Sequence, residues 1–233
     1  MRYFFAGIIG TLGLIGTANA LFAETILTKV NVAETRREAE VGKIVSVRKY
    51  ILKNKRWDKD AVMHVRITSQ PNSKKQFDIV SMENAEGLQK KVFLKLLEAE
   101  AESSHEAESA LTSDNYDFEI IGNEVWNGRE CLVLDLKPKR NSKYLIVGKA
   151  WVDTTERAIV RIDGKTARNV SFWIGKPHVT QEFRKVDDIW VSSANRSVSD
   201  VKLMGRTELV IDFVDYEISR RRAVASAKLG AGF

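Results

Sequence analysis

The stretch YDFEIIGNEVWNGRECLVLDL, residues 116–136, decides the fold because it specifies a β-hairpin. Apolar and polar residues alternate along Tyr116–Trp126, and the chain runs back over Arg129–Leu136. Such period-two spacing is typical of half-buried antiparallel strands. Between the two runs, Asn127-Gly128 is the dipeptide preferred in type I′ turns, whose twist matches that of the flanking strands. The stretch therefore predicts two antiparallel strands joined by a two-residue turn.

The same alternation recurs before and after this hairpin. Met63, Val65 and Ile67 share one face of an earlier predicted strand. Further along the chain, turn signals follow one another at intervals of roughly 10 to 15 residues. We expect Asp163-Gly164 to be one of these turns and to close a short strand. The pattern predicts a succession of antiparallel strands over most of the chain.

The segment Glu86–Ala110 carries a different period. Its large apolar residues recur at spacings of three and four among Lys, Glu and Ala, which predicts an amphipathic helix. A helix between strands has to cover a sheet face or plug an opening. We therefore expect this helix to act as a lid, through the apolar side chains of Leu88, Val92, Phe93 and Leu96.

A barrel or a strongly curved sheet fits the spacing of the turns better than βαβ units do. The predicted fold is mainly β (α+β): a half-open, curved antiparallel β-barrel of about ten strands, with a helix closing the concave side. The sequence has only three prolines, no internal repeat and no low-complexity linker. We therefore expect one domain, residues 24–218, followed by a basic, flexible tail over residues 219–233.

The N-terminus has the pattern of a secretory signal peptide. Arg2 supplies an early positive charge, Tyr3–Gly16 is uncharged and largely apolar, and small residues lead to a cleavage site after Ala20 or Ala23. We assign residues 1–23 to the signal peptide, with a retained N-terminal anchor as the alternative. No cysteine directly follows the apolar run, so the chain lacks the thiol of a lipobox. The mature protein is expected to be soluble and periplasmic.

The chain carries a formal net charge of +6 and a single cysteine. In an exported protein, this charge favours contact with anionic lipid headgroups over nucleic acid, and a solvated surface with an imbalance of charge is the alternative. Cys131 lies in an apolar run, so we interpret it as a buried small hydrophobe rather than as a catalytic or redox thiol. We expect the protein to be a monomer.

No motif in the sequence indicates an enzyme. The sequence contains no G-x-S-x-G, H-E-x-x-H, P-loop or G-x-G-x-x-G motif. His64, His105 and His178 lie in different predicted elements, without other ligands at metal-binding spacing. We therefore expect no catalytic residue, no metal and no cofactor. An envelope hydrolase, the alternative, would need His64 or His178 within hydrogen-bond reach of a buried Ser or Asp.

The later strands carry many aromatic residues, and branched aliphatic residues occupy both of their alternating sets. A curved sheet of this kind either covers its second apolar set with another layer or lines an inner cavity. We expect an apolar concavity partly closed by the helix, with a tightly packed core as the alternative. Phe172–Ile174 is expected to open a strand. The predicted lining residues are Met63, Val65, Ile67, Phe77, Ile79, Trp151, Phe172, Ile174, Leu209, Ile211 and Phe213.

Three runs of this sequence resemble a known family. They are GRECLVLDLKPKR (128–140), KYLIVGKAWVD (143–153) and SFWIGKPHVTQEFRKVDDIWVSSANRSVSDVKLMGRTELVIDFVDYEI (171–218). Together they are similar to bacterial outer-membrane lipoprotein-sorting proteins of the LolA/LolB-like group, which also contains RseB. The resemblance implies a half-open antiparallel β-barrel closed on one side by helices. It also implies a hydrophobic interior that holds acyl chains during transit across the periplasm.

The resemblance implies a function as well as a fold. We expect a periplasmic carrier or chaperone that binds acyl chains of lipoproteins or lipids for outer-membrane sorting, with the lining residues as its lipid-binding residues. The alternative is an RseB-like lipid-sensing regulatory module that binds a membrane protein. The family also implies an arginine that latches the lid, and neither Arg48 nor Arg66, both on early strands, matches a family motif. The expected partners are acyl chains or lipid and a membrane protein, without nucleic acid.

Overall fold

All ten strands of the described chain belong to one antiparallel sheet. The computed structural model describes residues 12–101 and 106–221. The elements within these ranges are α1 (Leu12–Glu40), β1 (Val41–Asn54), β2 (Ala61–Ser69), β3 (Gln76–Glu83), α2 (Leu88–Ala101), α3 (Glu106–Ser109), β4 (Tyr116–Trp126), β5 (Arg129–Pro138), β6 (Ile146–Asp153), β7 (Ala158–Thr166), β8 (His178–Val186), β9 (Ile189–Val201) and β10 (Gly205–Arg220).

The strand order is β3-β2-β1-β10-β9-β8-β7-β6-β5-β4, so the first and last strands pair inside the sheet. This pairing extends from Val41 opposite Arg220 to Asn54 opposite Thr207. β3 and β4 form the two edges of the described sheet, and they do not pair with each other. The sheet is therefore half-open, which confirms the predicted mainly β fold of about ten antiparallel strands.

The β4–β5 hairpin has the predicted bounds and turn. Its register places Trp126 opposite Arg129, so Asn127 and Gly128 are the only residues of the connection. Both have positive φ angles, 48° and 76°, as a type I′ turn requires. The local sequence is sufficient here because the turn and the alternating pattern specify the same register.

Helix α1 corrects the prediction of a single helix. Ala23, Ile26, Leu27 and Val30 are buried, and their spacing of three and four residues places them on one face of α1. They pack against buried residues of β4, β5, β6 and β7. The polar residues 34–40 form the last turns of the same helix. The apolar face of α1 is short and directly follows the apolar N-terminal run. The helical spacing of this face is therefore not recognisable in the sequence.

The predicted signal peptide overlaps α1. Residues 1–11 lie outside the described residues, and residues 12–23 form the first turns of the helix. Cleavage after Ala20 or Ala23 stays a prediction. Among the described residues, no helix combines the length and the apolar character needed to cross a membrane.

The C-terminal strand extends beyond residue 218, where the domain was expected to end. β10 continues to Arg220, and the N–H of Arg221 donates to the carbonyl oxygen of Glu40 at 2.8 Å. The end of the sheet is thus tied to the end of α1. Residues 222–233 of the predicted tail lie outside the described residues.

Helix α2 confirms the predicted amphipathic helix, with shorter bounds than Glu86–Ala110. It begins at Leu88, directly after Gly87, whose φ angle is 51°. It ends at Ala101, before residues 102–105, which lie outside the described residues, and the short helix α3 follows.

The segment Phe172–Ile174, predicted to open a strand, forms bends instead. The Ser171 hydroxyl oxygen accepts hydrogen bonds from the N–H groups of Trp173 at 3.2 Å and Ile174 at 3.1 Å. Such a side-chain bond competes with a strand ladder. Ile174 meets the sheet through an isolated bridge to Val201. The next strand, β8, begins at His178.

Two glycines that face each other across β6 and β7 contradict the turn predicted at Asp163-Gly164. Gly148 pairs directly with Gly164, and both lie inside strands. A Cβ atom on Gly148 would lie 2.5 Å from the Cα of Gly164, and a Cβ atom on Gly164 would lie 2.8 Å from the Cα of Gly148. Glycine at these positions permits the close approach of two backbones rather than a turn.

We expect Gly164→Ala to lower the free energy of unfolding by about 1–3 kcal/mol, because the added methyl group has no space between β6 and β7. The matched control is Gly122→Ala in β4, where an added Cβ atom meets nothing within 4 Å. Urea denaturation of both variants measures the difference. Equal destabilisation by the two substitutions would contradict a close approach at the Gly148–Gly164 pair.

Candidate functional site

Two helices bury separate parts of the sheet. Under α1, the buried cluster contains Tyr116, Phe118, Leu134, Leu136, Leu145, Ala150, Val152 and Ile159. Under α2, the buried residues Phe93 and Leu97 pack against Tyr50, Leu52, Ala61, Met63, Val65 and Ile67 of β1 and β2. We call these clusters the α1 lobe and the α2 lobe.

Both lobes lie on the same face of the sheet, because one row of directly paired residues joins them. Residues directly opposite each other in a sheet point to the same face. The row, from β2 to β5, is Met63, Tyr50, Ile211, Asn195, Gln181, Ile162, Ala150 and Leu134. Its first three residues belong to or contact the α2 lobe, and its last three belong to or contact the α1 lobe.

Most of the predicted lining residues share this face, beneath or beside α2. Met63, Val65 and Ile67 are fully buried or nearly so. Phe77, Leu209 and Ile211 are partly buried against the α2 lobe. The remaining two, Ile79 and Phe213, pair with Val65 and Arg48 and therefore face the same way. We call the surface formed by these eight residues the α2 face.

The other three predicted lining residues lie elsewhere. Trp151 belongs to a separate cluster with Cys131, Val133 and Val160. Along β5, Cys131 and Val133 alternate with the residues that belong to the α1 lobe. It is therefore on the opposite face of the sheet from α1. Phe172 is 74% exposed in the β7–β8 connection, and Ile174 is half-buried beside β9. The sequence pattern does not reveal which alternating set turns inward, because both sets contain large apolar residues.

Three of the four predicted lid residues contact the sheet cluster. Phe93 is fully buried, and Val92 and Leu96 pack against the α2 lobe, whereas Leu88 is 50% exposed. With α2 seated, its own side chains occupy the space over β1 and β2. The structure thus differs from the expected hollow beneath a roof: a ligand on the α2 face would have to replace the apolar side chains of the helix.

An ion pair holds the C-terminal end of α2 against β1. The Arg48 guanidinium donates from Nη1 to both carboxylate oxygens of Glu100, at 2.8 and 2.9 Å. The two side chains are 14% and 24% exposed. Arg48 also donates to the Ser46 hydroxyl at 3.1 Å and lies 4.6 Å from the centroid of the Phe213 ring. The arginine is thus positioned by the sheet and contacts α2 through a carboxylate.

Tyr50 and Arg48 keep their ordinary protonation states at neutral pH, because both pKa values are raised. Burial and the charge of Glu100 raise the pKa of Tyr50 to about 12, and its hydroxyl donates to Glu100 at 3.3 Å. Burial opposes the charge on Arg48, yet the attraction of Glu100 leaves the Arg48 pKa above its ordinary value. Lys75 adds a second cation 3.6 Å from Glu100. We call Arg48, Tyr50, Lys75 and Glu100 the α2 latch.

A polar strip separates the two lobes. Asn195 and Gln181 occupy the middle of the row that joins the lobes, and Ser197 pairs with Leu209 in the next row. All three side chains are half-buried. The face is therefore apolar beneath α2 and polar at its centre. The sequence contains these residues in its alternating pattern, but only the register shows that Asn195 and Ser197 adjoin the apolar residues of β10.

Glu34 is a carboxyl group on α1 whose pKa is strongly shifted. It lies one turn beyond Val30, on the buried side of the helix. Burial, and then the charge of Glu38, raise the pKa of Glu34 to about 7. Ionisation of Glu34 is therefore unfavourable in the folded protein near neutral pH.

Neither His64 nor His178 forms a hydrolytic site with a buried partner. His64 Nδ1 lies 3.1 Å from the Ser81 hydroxyl, directly across β2 and β3, and Ser81 is half-buried. His178 Nε2 lies 3.1 Å from Asp163, whose side chain is 27% exposed. In residues 12–101 and 106–221, no group of three His, Cys, Asp or Glu side chains is placed to hold a metal ion.

Cys131 is buried, as expected for a small hydrophobe. Burial is the main cause that raises the pKa of its thiol, which keeps the sulfur protonated and weakly nucleophilic.

The sequence matches a family model whose description is "Uncharacterized protein", over residues 104–224, which is more than half of the chain. The chain belongs to that family. No curated protein matches the sequence significantly.

Several solved structures are similar over most of their length. A domain named for outer membrane lipoprotein sorting, from Vibrio parahaemolyticus, is 13% identical with a TM-score of 0.48, covering 86% of this chain and 93% of that one. A DUF1329 family protein from Desulfovibrio piger is 14% identical, with the same TM-score and coverage. A LolA superfamily protein from Nitrosomonas europaea is 11% identical with a TM-score of 0.44, covering 84% of this chain and 93% of that one. At these values the likeness is distant.

We expect Glu34→Gln to stabilise the protein at pH 8 by about 1–3 kcal/mol, because the buried carboxylate is then replaced by a neutral amide. The pKa of Glu34 is near its ordinary value of 4.5 in the unfolded chain and about 7 in the folded chain. Protonated Glu34 therefore contributes its full stabilisation of the wild-type fold below pH 4.5. This contribution is lost as the pH rises to 7. The advantage of the variant should shrink across the same window and vanish at pH 4.

Thermal denaturation at a series of pH values measures this effect. Glu24→Gln, at an exposed position of the same helix, is the control. An advantage of Glu34→Gln that stays constant from pH 4 to pH 8 would contradict a raised pKa of Glu34.

Proposed function

We propose that the protein binds the acyl chains of lipoproteins or lipids on the α2 face and acts as a carrier or chaperone for them in the cell envelope. One observation carries the proposal. A contiguous apolar surface on β1, β2, β3 and β10 is covered by a single amphipathic helix, and a polar latch at one end ties that helix to the sheet.

The exchange of helix for ligand is energetically reasonable. Phe93 and Leu97 fill the α2 lobe in the closed state, so a hydrocarbon chain would replace apolar contacts with apolar contacts. Each buried CH₂ group contributes about 0.8 kcal/mol, and binding would therefore need no specific polar contact to the chain. Closed and ligand-filled states of similar free energy would allow both uptake and release.

The polar strip suits an amphiphilic ligand rather than a plain hydrocarbon. Asn195 lies beside Ile211 of β10, Gln181 follows it on β8, and both offer amide donors and acceptors. A ligand with acyl chains on the α2 face could place its ester or amide linkages on this strip. This arrangement supports lipids and lipid-modified peptides over free alkanes.

The place of action is proposed from the N-terminal sequence. A signal peptide over residues 1–23 would direct the chain to the periplasm, where acyl chains of lipoproteins need shielding from water. We further propose that the protein works as a monomer and does not bind nucleic acid or catalyse a reaction.

We expect Ile211→Asn to weaken binding of a fluorescent long-chain fatty acid on the order of tenfold, because the substitution places an amide in the apolar surface. Val210→Asn is the matched control: the same change, one residue earlier, on the opposite face of β10. Fluorescence titration of both variants provides the comparison. Equal binding by both variants would contradict a ligand on the α2 face.

Lipid bound in the cell provides an independent test of the same proposal. Mass spectrometry of the organic extract from protein purified out of the envelope should find lipid in stoichiometric amounts. A clean extract, together with no lipid-dependent shift in melting temperature, would reject the carrier function.

We expect Glu100→Gln to bind the fatty acid more tightly than the wild type, because it weakens the latch and raises the population with α2 displaced. Loss of the charge-assisted bonds should cost about 1–2 kcal/mol, which corresponds to a factor of roughly 5 to 30. Hydrogen exchange should become faster in α2 and stay unchanged in α1.

Glu208→Gln is the control for the latch variant. Glu208 accepts a hydrogen bond from Arg196 Nε at 2.7 Å, in an ion pair away from α1 and α2, and Arg196 is 59% exposed. This substitution removes the same charge without touching α2. Unchanged or weaker binding by Glu100→Gln, with folding intact, would contradict the function of α2 as a lid.

A further inference from the structure

Three turns meet at one end of the sheet and form what we call the tip: residues 139–145, 167–177 and 202–204. The N–H of Lys202 donates to the carbonyl oxygen of Trp173 at 2.9 Å, which joins the second and third turns. Asn141 and Lys143 of the first turn line one concavity of about 650 Å³ together with residues of the second turn. The tip is therefore one continuous surface built from three connections.

The tip exposes three large apolar side chains. Phe172 is 74% exposed, Trp173 is 54% exposed and Leu203 is 78% exposed. The two aromatic rings contact each other edge to face, with centroids 5.2 Å apart. They protrude from the end of the sheet, outside the α1 and α2 lobes. Clustered exposed apolar residues of this kind mark an interaction site more often than a single exposed residue does.

Local hydrogen bonds hold the aromatic residues in this exposed position. The Ser171 hydroxyl accepts from the N–H groups of Trp173 and Ile174, and the N–H of Val170 donates to the carbonyl oxygen of Gly175 at 3.1 Å. The connection is thus a closed loop attached to β9, with its rings directed by backbone geometry. Such a loop presents its apolar side chains with little additional loss of conformational entropy on binding.

The charge around these apolar side chains is of one sign. The three turns contain no Asp or Glu, and their six cationic residues are all exposed. These residues are Lys139, Arg140, Lys143, Arg168, Lys176 and Lys202. Lys139 pairs with Asp117 of β4 at 3.5 Å, and the Lys202 ammonium lies 3.4 Å from the centroid of the Phe172 ring. The aromatic residues are therefore surrounded by positive charge.

We propose that the tip docks the protein onto an anionic lipid bilayer, with Phe172, Trp173 and Leu203 entering the interface and the lysines and arginines contacting headgroups. Tryptophan and other aromatic rings partition to the level of the headgroups, and each basic residue near an anionic surface adds about 1 kcal/mol. Trp173 and Leu203 lie outside the concavity, Phe172 lies at its wall, and all three side chains are more than half exposed, which fits a soft, flat surface. This interaction does not depend on a ligand on the α2 face.

The first experiment measures cosedimentation of the full chain with phosphatidylcholine vesicles, with and without phosphatidylglycerol. Binding should require the anionic lipid and should weaken at high salt. Lys143→Gln combined with Lys176→Gln should reduce binding by about fivefold per lysine. The control is Lys29→Gln with Lys74→Gln, the same charge change at exposed positions away from the tip.

The second experiment tests the apolar side chains. Phe172→Ser combined with Trp173→Ser should lower vesicle binding on the order of tenfold or more. The control is Val80→Ser with Val125→Ser, which removes side chains that are 66% and 70% exposed on β3 and β4. All variants keep residues 1–23 unchanged, so any contribution of that apolar segment is common to them.

Trp173 also provides a direct readout. Brominated anionic lipids should quench the fluorescence of the wild type more than that of Trp173→Phe. Binding that ignores phosphatidylglycerol, or tip variants that bind like their controls, would overturn the proposal. It would also be overturned if the tip substitutions convert a dimer to a monomer in sedimentation and leave vesicle binding unchanged, because the tip would then contact a second copy of the chain.

Discussion

The pairing of β1 with β10 is the constraint on which the rest of the structure depends. It joins the two ends of the chain inside the sheet and makes β1 the link between β2 and the strands that follow α2. Its register places Tyr50 opposite Ile211, so the apolar residues of β2, β1 and β10 share one face. A shift of one residue would turn half of that surface away from α2. The α2 face exists only because this long-range pairing is in register.

The same face carries two different kinds of packing. The α1 lobe is a conventional core, in which buried side chains of helix and strands fill the space between them. The α2 lobe is completed by a helix that a partly buried ion pair attaches to the sheet, with Arg48 already oriented by Ser46 and Phe213. A polar strip lies between the lobes. This division leaves one half of the face inside a packed core and the other half beneath a single helix that an ion pair holds in place.

Sequence reasoning succeeded where local signals and the tertiary fold agree. Asn127-Gly128 defined a turn that no other part of the chain overrides, and the helical spacing around Phe93 defined α2. It failed at Gly164, because the sequence does not distinguish a glycine that permits the close approach of two backbones from a glycine that makes a turn. It also missed the helical continuation of α1, whose buried residues follow directly on an apolar N-terminal run.

The sequence by itself determined the fold class, the approximate number of strands and the presence of helix α2, because period and turn chemistry are local properties of the chain. Only the tertiary structure decided which residues share a surface. It placed Trp151 on the opposite face from α1, Phe172 at the tip, and Arg48 against Glu100, 52 positions apart along the chain. These placements follow from strand register and from the way the connections fold back on the sheet, and neither is encoded in any short segment of sequence.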